Sequence, residues 1–245
     1  MTEPVAPAIE TPPSGLPTTV AAFDFDGTLT DGGSVFQFLV SLRGARTVLL
    51  ATARHSPRLL YAALVGGSVA DAAKERYFIR LLGGLRATEV DRVAAAFAAR
   101  HLARRLRPGT ARRLEWHQAQ GHHVVIISAS PEVYVRVAGT ILGVDGALAT
   151  RLAVGPDGRL TGGYQGKNCR GSEKLRRLIE HLEAQGLMRS DGSPPELWAY
   201  GNSRGDLRLL AAADHGVNLG KLGRWGRLRA FPRLIDVGVA SPRPG

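Results

Sequence analysis

Residues 20–30, VAAFDFDGTLT, decide the fold of this chain. An apolar run that ends in two acids and a glycine is typical of a buried strand with polar side chains at its C-terminal tip, where α/β sheets place their chemistry. Since side chains alternate along an extended chain, Asp24 and Asp26 lie on the same side, and Gly27 lets the backbone turn at once. Two carboxylates so close repel each other unless a cation or a proton lies between them.

Three more polar segments follow in the chain. Residues 128–130, Ser-Ala-Ser, come directly after the strand-like residues 123–127. Residues 171–174, Gly-Ser-Glu-Lys, begin a helical pattern. Residues 201–206, Gly-Asn-Ser-Arg-Gly-Asp, follow a second strand-like run at residues 197–200.

In content and order, these four segments resemble the four motifs of the haloacid dehalogenase (HAD) superfamily of aspartate-nucleophile phosphohydrolases. The resemblance covers about residues 20 to 219. It implies an α/β fold with a Rossmann-like parallel sheet flanked by helices and a C1-type helical cap. The strands are expected near residues 19–24, 123–128, 196–201 and 214–218.

The resemblance also implies roles for single residues. Asp24 would attack phosphorus and form an aspartyl phosphate. Asp26 would protonate the leaving alkoxide and then deprotonate the water that hydrolyses the intermediate. The groups expected to bind the phosphoryl oxygens are those of Gly27, Thr28, Ser128, Ala129 and Arg170.

The lysine of the third motif has two candidate positions. Lys174 follows the spacing of the subgroup that this chain most resembles, whereas an alignment with phosphoserine phosphatases places Arg170 there. We expect Lys174 to be the catalytic cation that stabilises charge on the phosphoryl group.

The resemblance implies Mg²⁺ as cofactor, with Asp24, Asp26, Asn202 and Asp206 as the residues of the metal site. Asp26 would contribute its main-chain carbonyl, and Asp206 would orient a metal-bound water or the lysine. The family usually has an aspartate where this chain has Asn202, which removes one formal negative charge. An amide oxygen can still bind Mg²⁺. The change predicts weaker metal affinity or, in the extreme, loss of catalysis.

The domain organisation expected from this resemblance has four parts. A Pro-rich disordered leader covers residues 1–18, and a basic tail covers residues 221–245. The core domain comprises residues 19–30 and 106–220, and the cap comprises residues 31–105, most of which show helical periodicity. Between the second and third motifs, two strand-like runs around residues 155–158, Gly-Pro-Asp-Gly, predict a hairpin.

Residues 116–122 and 168–174 look like the IB branch of the superfamily, whose best-known member is phosphoserine phosphatase. Two recognition positions of that enzyme do not carry over. Its glutamate for the amino group is Gly33 here, and its cap arginine for the carboxylate is Phe78. A phosphate monoester other than phosphoserine is therefore expected, although phosphoserine or another small metabolite remains an alternative.

The predicted cap has apolar helical faces interleaved with arginines, at positions 43, 46, 54 and 58. Such a surface would suit a lipid head-group phosphate at an anionic membrane, where the protein would make peripheral contact. The alternative is that these faces pack on other helices. A non-catalytic phosphate- or membrane-binding protein is a further alternative, motivated by Asn202 and the basic cap.

Composition limits the partners and the compartment. The 245 residues carry a formal net charge of +11, which favours anionic ligands. The sequence has no nucleic-acid recognition module, so no nucleic-acid partner is expected. A single cysteine, no signal peptide and no long apolar run predict a cytoplasmic protein, peripheral at most at the inner face of the membrane. No oligomeric state is predicted.

Overall fold

The computed structural model describes residues 19–54, 67–220, 228 and 230–234. Its strands are β1 (Thr19–Phe23), β2 (His123–Pro131), β3 (Gly146–Thr150), β4 (Leu152–Val154), β5 (Leu160–Tyr164), β6 (Glu196–Gly201) and β7 (His215–Asn218). Five of them form a parallel sheet in the order β3-β2-β1-β6-β7, and β4 pairs with β5 in an antiparallel hairpin. The predicted α/β fold with a parallel Rossmann-like sheet is confirmed.

The first strand lies at the centre of the sheet. All five of its residues are buried, and Phe23 pairs with Ile126 of β2 on one side and Tyr200 of β6 on the other. Ala21 and Phe23 belong to the apolar cluster on one face, while Val20 and Ala22 belong to the cluster on the opposite face. A parallel strand covered on both faces needs a continuous apolar run, which is what residues 20–23 supply.

The helices are α1 (Val35–Arg43), α2 (Gly67–Leu82), α3 (Ala87–Arg105), α4 (Pro108–Ala119), α5 (Glu132–Leu142), α6 (Ser172–Ala184) and α7 (Leu207–Ala212). Residues 45–54 are helical too, and residues 204–206 form a 3₁₀ turn. Among the described residues, no helix is long and apolar enough to cross a bilayer.

The helices that precede α4 pack onto the core. Helix α3 packs against α1 and α5, and α2 packs against β5 of the hairpin. One apolar cluster extends from Phe23 in the sheet to Phe97 in α3 and Phe78 in α2. The side chains of the predicted cap thus share a continuous core with one face of the sheet.

The hairpin prediction needs one correction. Residues 148–154 read as a single strand, but the structure divides them at Arg151. Residues up to Thr150 belong to the central sheet as β3, and only Leu152–Val154 pair with β5. Alternation cannot detect this division, because both pieces are strand and only the partner changes.

Some predictions fall on residues outside the described ranges. They concern the leader at residues 1–18, most of the basic tail, and part of the predicted cap, including Arg58. The boundaries between core, cap and tail stay predictions.

Candidate active site

The candidate site lies at the C-terminal edge of the sheet. Asp24 directly follows β1, Ser128 lies in the second half of β2, and Asn202 directly follows β6. The Asp24 backbone N–H donates to the Tyr200 carbonyl at 2.9 Å, which holds the start of the loop against β6. Because three neighbouring parallel strands end here, residues from three distant motifs meet.

A buried ammonium connects two of these motifs. Lys174 Nζ lies 2.6 Å from Asp24 Oδ1 and 2.5 Å from Asp206 Oδ1. Lys174 and Asp206 are each 1% exposed and Asp24 is 6% exposed. The Arg170 side chain lies elsewhere, against Gly205. Of the two residues considered for the third motif, the structure places Lys174 beside Asp24.

Burial and charge shift the pKa values of this cluster. Burial raises the pKa of Asp24 to about 7, and the negative charge of Asp206 adds to the rise, while Lys174 opposes it. Burial would lower the pKa of Lys174, but the Asp206 and Asp24 carboxylates outweigh burial and raise it. Burial would likewise raise the pKa of Asp206, yet Lys174 and the Ser203 hydrogen bonds lower it. Asp206 is thus the firmer ion-pair partner of Lys174, and Asp24 is left with an incompletely balanced charge.

The second carboxylate has different surroundings. Asp26 Oδ1 accepts the Ser34 backbone N–H at 2.8 Å. Asp26 Oδ2 accepts the Ser34 hydroxyl at 2.9 Å and the Ser130 hydroxyl at 2.5 Å. The Tyr134 hydroxyl lies 2.7 Å from Ser34 Oγ and completes the network. Asp24 therefore faces a cation, whereas Asp26 is held by neutral donors.

The loop of the first motif, which follows β1, is tightly packed. Gly27 has φ +81°, and a Cβ atom there would lie 1.9 Å from Asn202 Nδ2. The Thr28 hydroxyl donates to Asp24 Oδ2 at 3.1 Å. The Arg107 guanidinium donates to the Gly27 carbonyl and fixes the loop from outside. A side chain at position 27 would thus displace Asn202 from the site.

Lys74, a residue outside the four motifs, contacts the second motif. Ser128 Oγ accepts the Ser130 backbone N–H at 3.1 Å, and the Thr150 hydroxyl lies 3.0 Å from the Ala129 carbonyl. Lys74 Nζ of α2 donates to the same carbonyl at 2.7 Å. This contact brings a cationic side chain of the predicted cap to the edge of the site.

Comparison with known proteins identifies the family. Residues 21–211 match the family described as haloacid dehalogenase-like hydrolase. The chain belongs to this family. The protein CicA of Caulobacter vibrioides is 34% identical over 196 residues, which cover 80% of this chain and 83% of CicA.

A solved structure and a more distant relative are also similar to this chain. A Bordetella pertussis protein of unknown function has a solved structure with a TM-score of 0.73 and 22% identity, covering 88% of this chain and 97% of that one. The histidinol-phosphatase of Neisseria meningitidis is 25% identical over 199 residues, 81% of this HAD hydrolase and 88% of the relative.

The residues of this HAD hydrolase fit the Mg²⁺ ion that the resemblance implies. Asn202 Oδ1 is buried and has no hydrogen-bond partner among the described residues. A buried amide oxygen without a donor is costly, and a cation would satisfy it. The Asp24 carboxylate and the Asp26 main-chain carbonyl belong to the same loop. These three oxygens are the hard donors that Mg²⁺ prefers.

Asp206 has a different place in the site. Its Oδ2 accepts the Asn202 and Ser203 backbone N–H groups at 3.2 and 2.9 Å and the Ser203 hydroxyl at 2.7 Å, and its Oδ1 accepts Lys174. Within the described ranges, no three His, Cys, Asp or Glu side chains converge as a metal site. Asp206 thus orients the lysine and the loop of the fourth motif.

Several residues that shape the site escaped the sequence reasoning. Lys74 is distant in sequence from every motif, whereas Ser34 and Tyr134 each follow a motif by four residues, and no local pattern marks any of the three. Ser130 was detectable, because it stands two residues after Ser128 and alternation places both on one side of β2. The two positions at which this chain departs from phosphoserine phosphatase have different surroundings. Gly33 is exposed, whereas Phe78 is fully buried against Tyr164.

Proposed function

We propose that this HAD hydrolase is a Mg²⁺-dependent phosphatase of the IB branch that hydrolyses a phosphate monoester through an aspartyl-phosphate intermediate. The observation that carries the proposal is the buried contact of Lys174 with Asp24, at 2.6 Å, at the tip of the central strand. A phosphatase with a carboxylate nucleophile needs positive charge at this position, because both nucleophile and substrate are anions.

Each residue has a defined step in the proposed reaction. An Asp24 oxygen forms a bond to phosphorus as the bond to the leaving oxygen breaks, and Asp26 gives its proton to that oxygen. Asp26 then takes a proton from the water that attacks the aspartyl phosphate, which releases phosphate and restores Asp24. Lys174 offsets negative charge at the reacting centre throughout. Mg²⁺, when bound, neutralises charge between phosphate and nucleophile.

The phosphoryl oxygens would be bound by the loops of the first and second motifs. The donors in reach are the Thr28 and Ser128 hydroxyls and the backbone around Gly27 and Ala129. The Thr28 hydroxyl donates to Asp24. Ser128 Oγ accepts a backbone N–H, so the proton of the Ser128 hydroxyl is available to a phosphoryl oxygen. Arg170, whose side chain lies against Gly205 in the loop of the fourth motif, is the last of the proposed phosphate-binding residues.

We infer a substrate other than phosphoserine, with a lipid head-group phosphate as the first candidate. On the helical segment of residues 45–54, Leu49 and Leu50 are 56% and 72% exposed, beside the exposed Arg46. An exposed apolar pair next to a cation supports contact with an anionic lipid surface. A soluble small-metabolite ester is the alternative, and the likeness to a histidinol-phosphatase supports it.

Phosphate release tests this proposal. Purified protein is assayed with Mg²⁺ and with chelator on p-nitrophenyl phosphate, phosphoserine, sugar phosphates and phosphatidylglycerophosphate. We expect chelator-sensitive release and a loss of at least about a thousandfold in Asp24→Asn, since the nucleophile is removed. Asp91→Asn, an exposed acid on α3, is the matched control and should keep full activity. Activity that survives in Asp24→Asn would refute the nucleophile; silence across the panel in every variant would favour the non-catalytic binding protein.

A further inference from the structure

A cavity lies beside the connection from α3 to α4, away from the residues of the candidate active site. Its volume is about 560 Å³, within the range of small-molecule sites. None of the candidate active-site residues lines it. We call it the α3–α4 pocket; its polar lining includes Asp31, Arg104, Arg105, Arg107, Thr110 and Arg233.

The charge of this pocket is strongly positive. Four arginines and one aspartate line it, a formal charge of +3 at neutral pH. Guanidinium groups bind phosphate oxygens through paired, charge-assisted hydrogen bonds. The guanidinium groups of Arg104, Arg105 and Arg107 carry three positive charges, which match a small ligand with about three negative charges, such as a diphosphate ester.

The pocket also contains the start of helix α4. Pro108, Gly109 and Thr110 are its first three residues, and no side chain caps this end. The first backbone N–H groups of a helix have no partner within the helix, and its dipole favours an anion there. The first turn carries no acidic residue that would supply this anion from within the helix.

An independent observation points to a missing acceptor. Thr110 is 1% exposed, and its Oγ1 is buried without a hydrogen-bond partner among the described residues. A buried hydroxyl left unpaired costs free energy, which an acceptor in the pocket would recover. A phosphate oxygen bound at the α4 N-terminus would supply that acceptor.

One of the pocket arginines also touches the active-site loop. Arg107 donates to the Gly27 carbonyl and, at 3.4 Å, to the Leu219 carbonyl, so its guanidinium is held in place before any ligand arrives. A guanidinium has five N–H donors, so others remain for an anion. A ligand here would bind to a side chain that already supports the loop after Asp26.

We propose that the α3–α4 pocket binds a small molecule that carries a diphosphate group, at a site separate from the phosphatase centre. Arg104, Arg105 and Arg107 bind the phosphates, and the first turn of α4 with the Thr110 hydroxyl completes the site. The proposal does not depend on the phosphatase reaction, since binding can be measured without turnover.

Calorimetric titration with inorganic phosphate, pyrophosphate and ADP, in chelator, tests the proposal on the full chain. We expect pyrophosphate and ADP to bind more tightly than phosphate. The double variant R104S/R105S should weaken pyrophosphate binding at least about tenfold, because two charge-assisted contacts are lost. Thr110→Val should also weaken it measurably, whereas Ser128→Ala, which removes a proposed phosphoryl donor of the active site, should leave it unchanged.

The matched control removes the same charge elsewhere. R92S/R112S deletes two exposed arginines of α3 and α4 that do not line the pocket. Circular dichroism and thermal unfolding establish that both double variants fold. Equal weakening of pyrophosphate binding in the two double variants would mean that binding depends only on the net charge of the protein, which would overturn the proposal. Full binding in R104S/R105S, or loss of binding in Ser128→Ala, would place the anion at another site and overturn it as well.

Discussion

At the residue scale, the most consequential contact is the one between Lys174 and two buried carboxylates. Removal of the ammonium would leave Asp24 and Asp206 close together without a counter-charge, which is costly in a low-dielectric interior. The same contact explains why one lysine affects both stability and the proposed chemistry.

We therefore expect Lys174→Met to lower the free energy of unfolding by about 3–5 kcal/mol, the range for breaking a buried ion pair. Urea unfolding in chelator measures this loss. Lys167→Met, at an exposed position on the loop before α6, is the control and should change stability by less than about 0.5 kcal/mol. Equal effects of the two substitutions would mean that the buried contact is not populated in solution.

Asn202 predicts a specific metal response. Asn202→Asp adds a negative charge at a buried oxygen that has no partner among the described residues, so we expect Mg²⁺ affinity to rise about tenfold. The rise of the unfolding temperature with Mg²⁺ concentration reports this affinity independently of activity. Asn202→Leu, which removes the oxygen, should lose most of the response. An unchanged response in both variants would exclude position 202 as a ligand.

At the element scale, the hairpin holds helix α2 in place. A Cβ atom at Gly162 in β5 would lie 2.4 Å from Ile79 Cα, and Gly162 has φ +84°. The Glu75 carboxylate accepts the Tyr164 backbone N–H at 3.0 Å beside this approach. The helix that carries Lys74 is thus positioned by the strand, and only glycine permits so close an approach.

Gly162→Ala should consequently destabilise the protein by about 2 kcal/mol or more, since backbone strain and a steric clash act together. Thermal unfolding and limited proteolysis within α2 measure the effect. Gly158→Ala, in the turn of the same hairpin, is the control: it has φ +73° but nothing within 4 Å of the added atom. It should cost only the strain of about 1–2 kcal/mol. Similar losses and similar cleavage in both variants would show that the β5–α2 contact is unimportant.

At the scale of the whole molecule, a buried histidine links stability to pH. His117 on α4 is fully buried, with Nε2 2.9 Å from the Tyr200 hydroxyl and Nδ1 2.7 Å from His122 Nδ1. Burial, together with the charges of His122, Arg113 and His215, lowers the pKa of His117 to about 3. Between pH 6.5 and pH 3 the unfolded chain therefore binds a proton that the folded chain does not, and stability falls as pH falls.

His117 should thus account for a loss of about 2 kcal/mol in the free energy of unfolding between pH 7 and pH 5. His117→Gln, which keeps a polar contact for Tyr200, should have a smaller pH dependence by that amount, measured by urea unfolding at both pH values. Arg112→Gln, at an exposed position of the same helix, is the control and should retain the wild-type slope. A wild-type slope in His117→Gln would contradict the buried, neutral state of this ring.

Across the whole molecule, much of the fold could be predicted from local pattern. The strands expected at residues 19–24, 123–128, 196–201 and 214–218 were found within three residues at each end. Apolar runs and the acids after β1 are short-range signals, because burial of a strand requires an apolar run in the chain itself.

Only the tertiary structure decided which residues that are distant in sequence come into contact. Lys174 and Arg170 lie four positions apart, and spacing favours the lysine without excluding the arginine, but packing of α6 on the sheet brings the lysine to Asp24. Lys74 reaches Ala129 across 55 positions of chain, and the α3–α4 pocket combines residues from 31 to 234. Periodicity along a chain specifies which face of an element is buried, but only the packing of elements specifies which side chains meet.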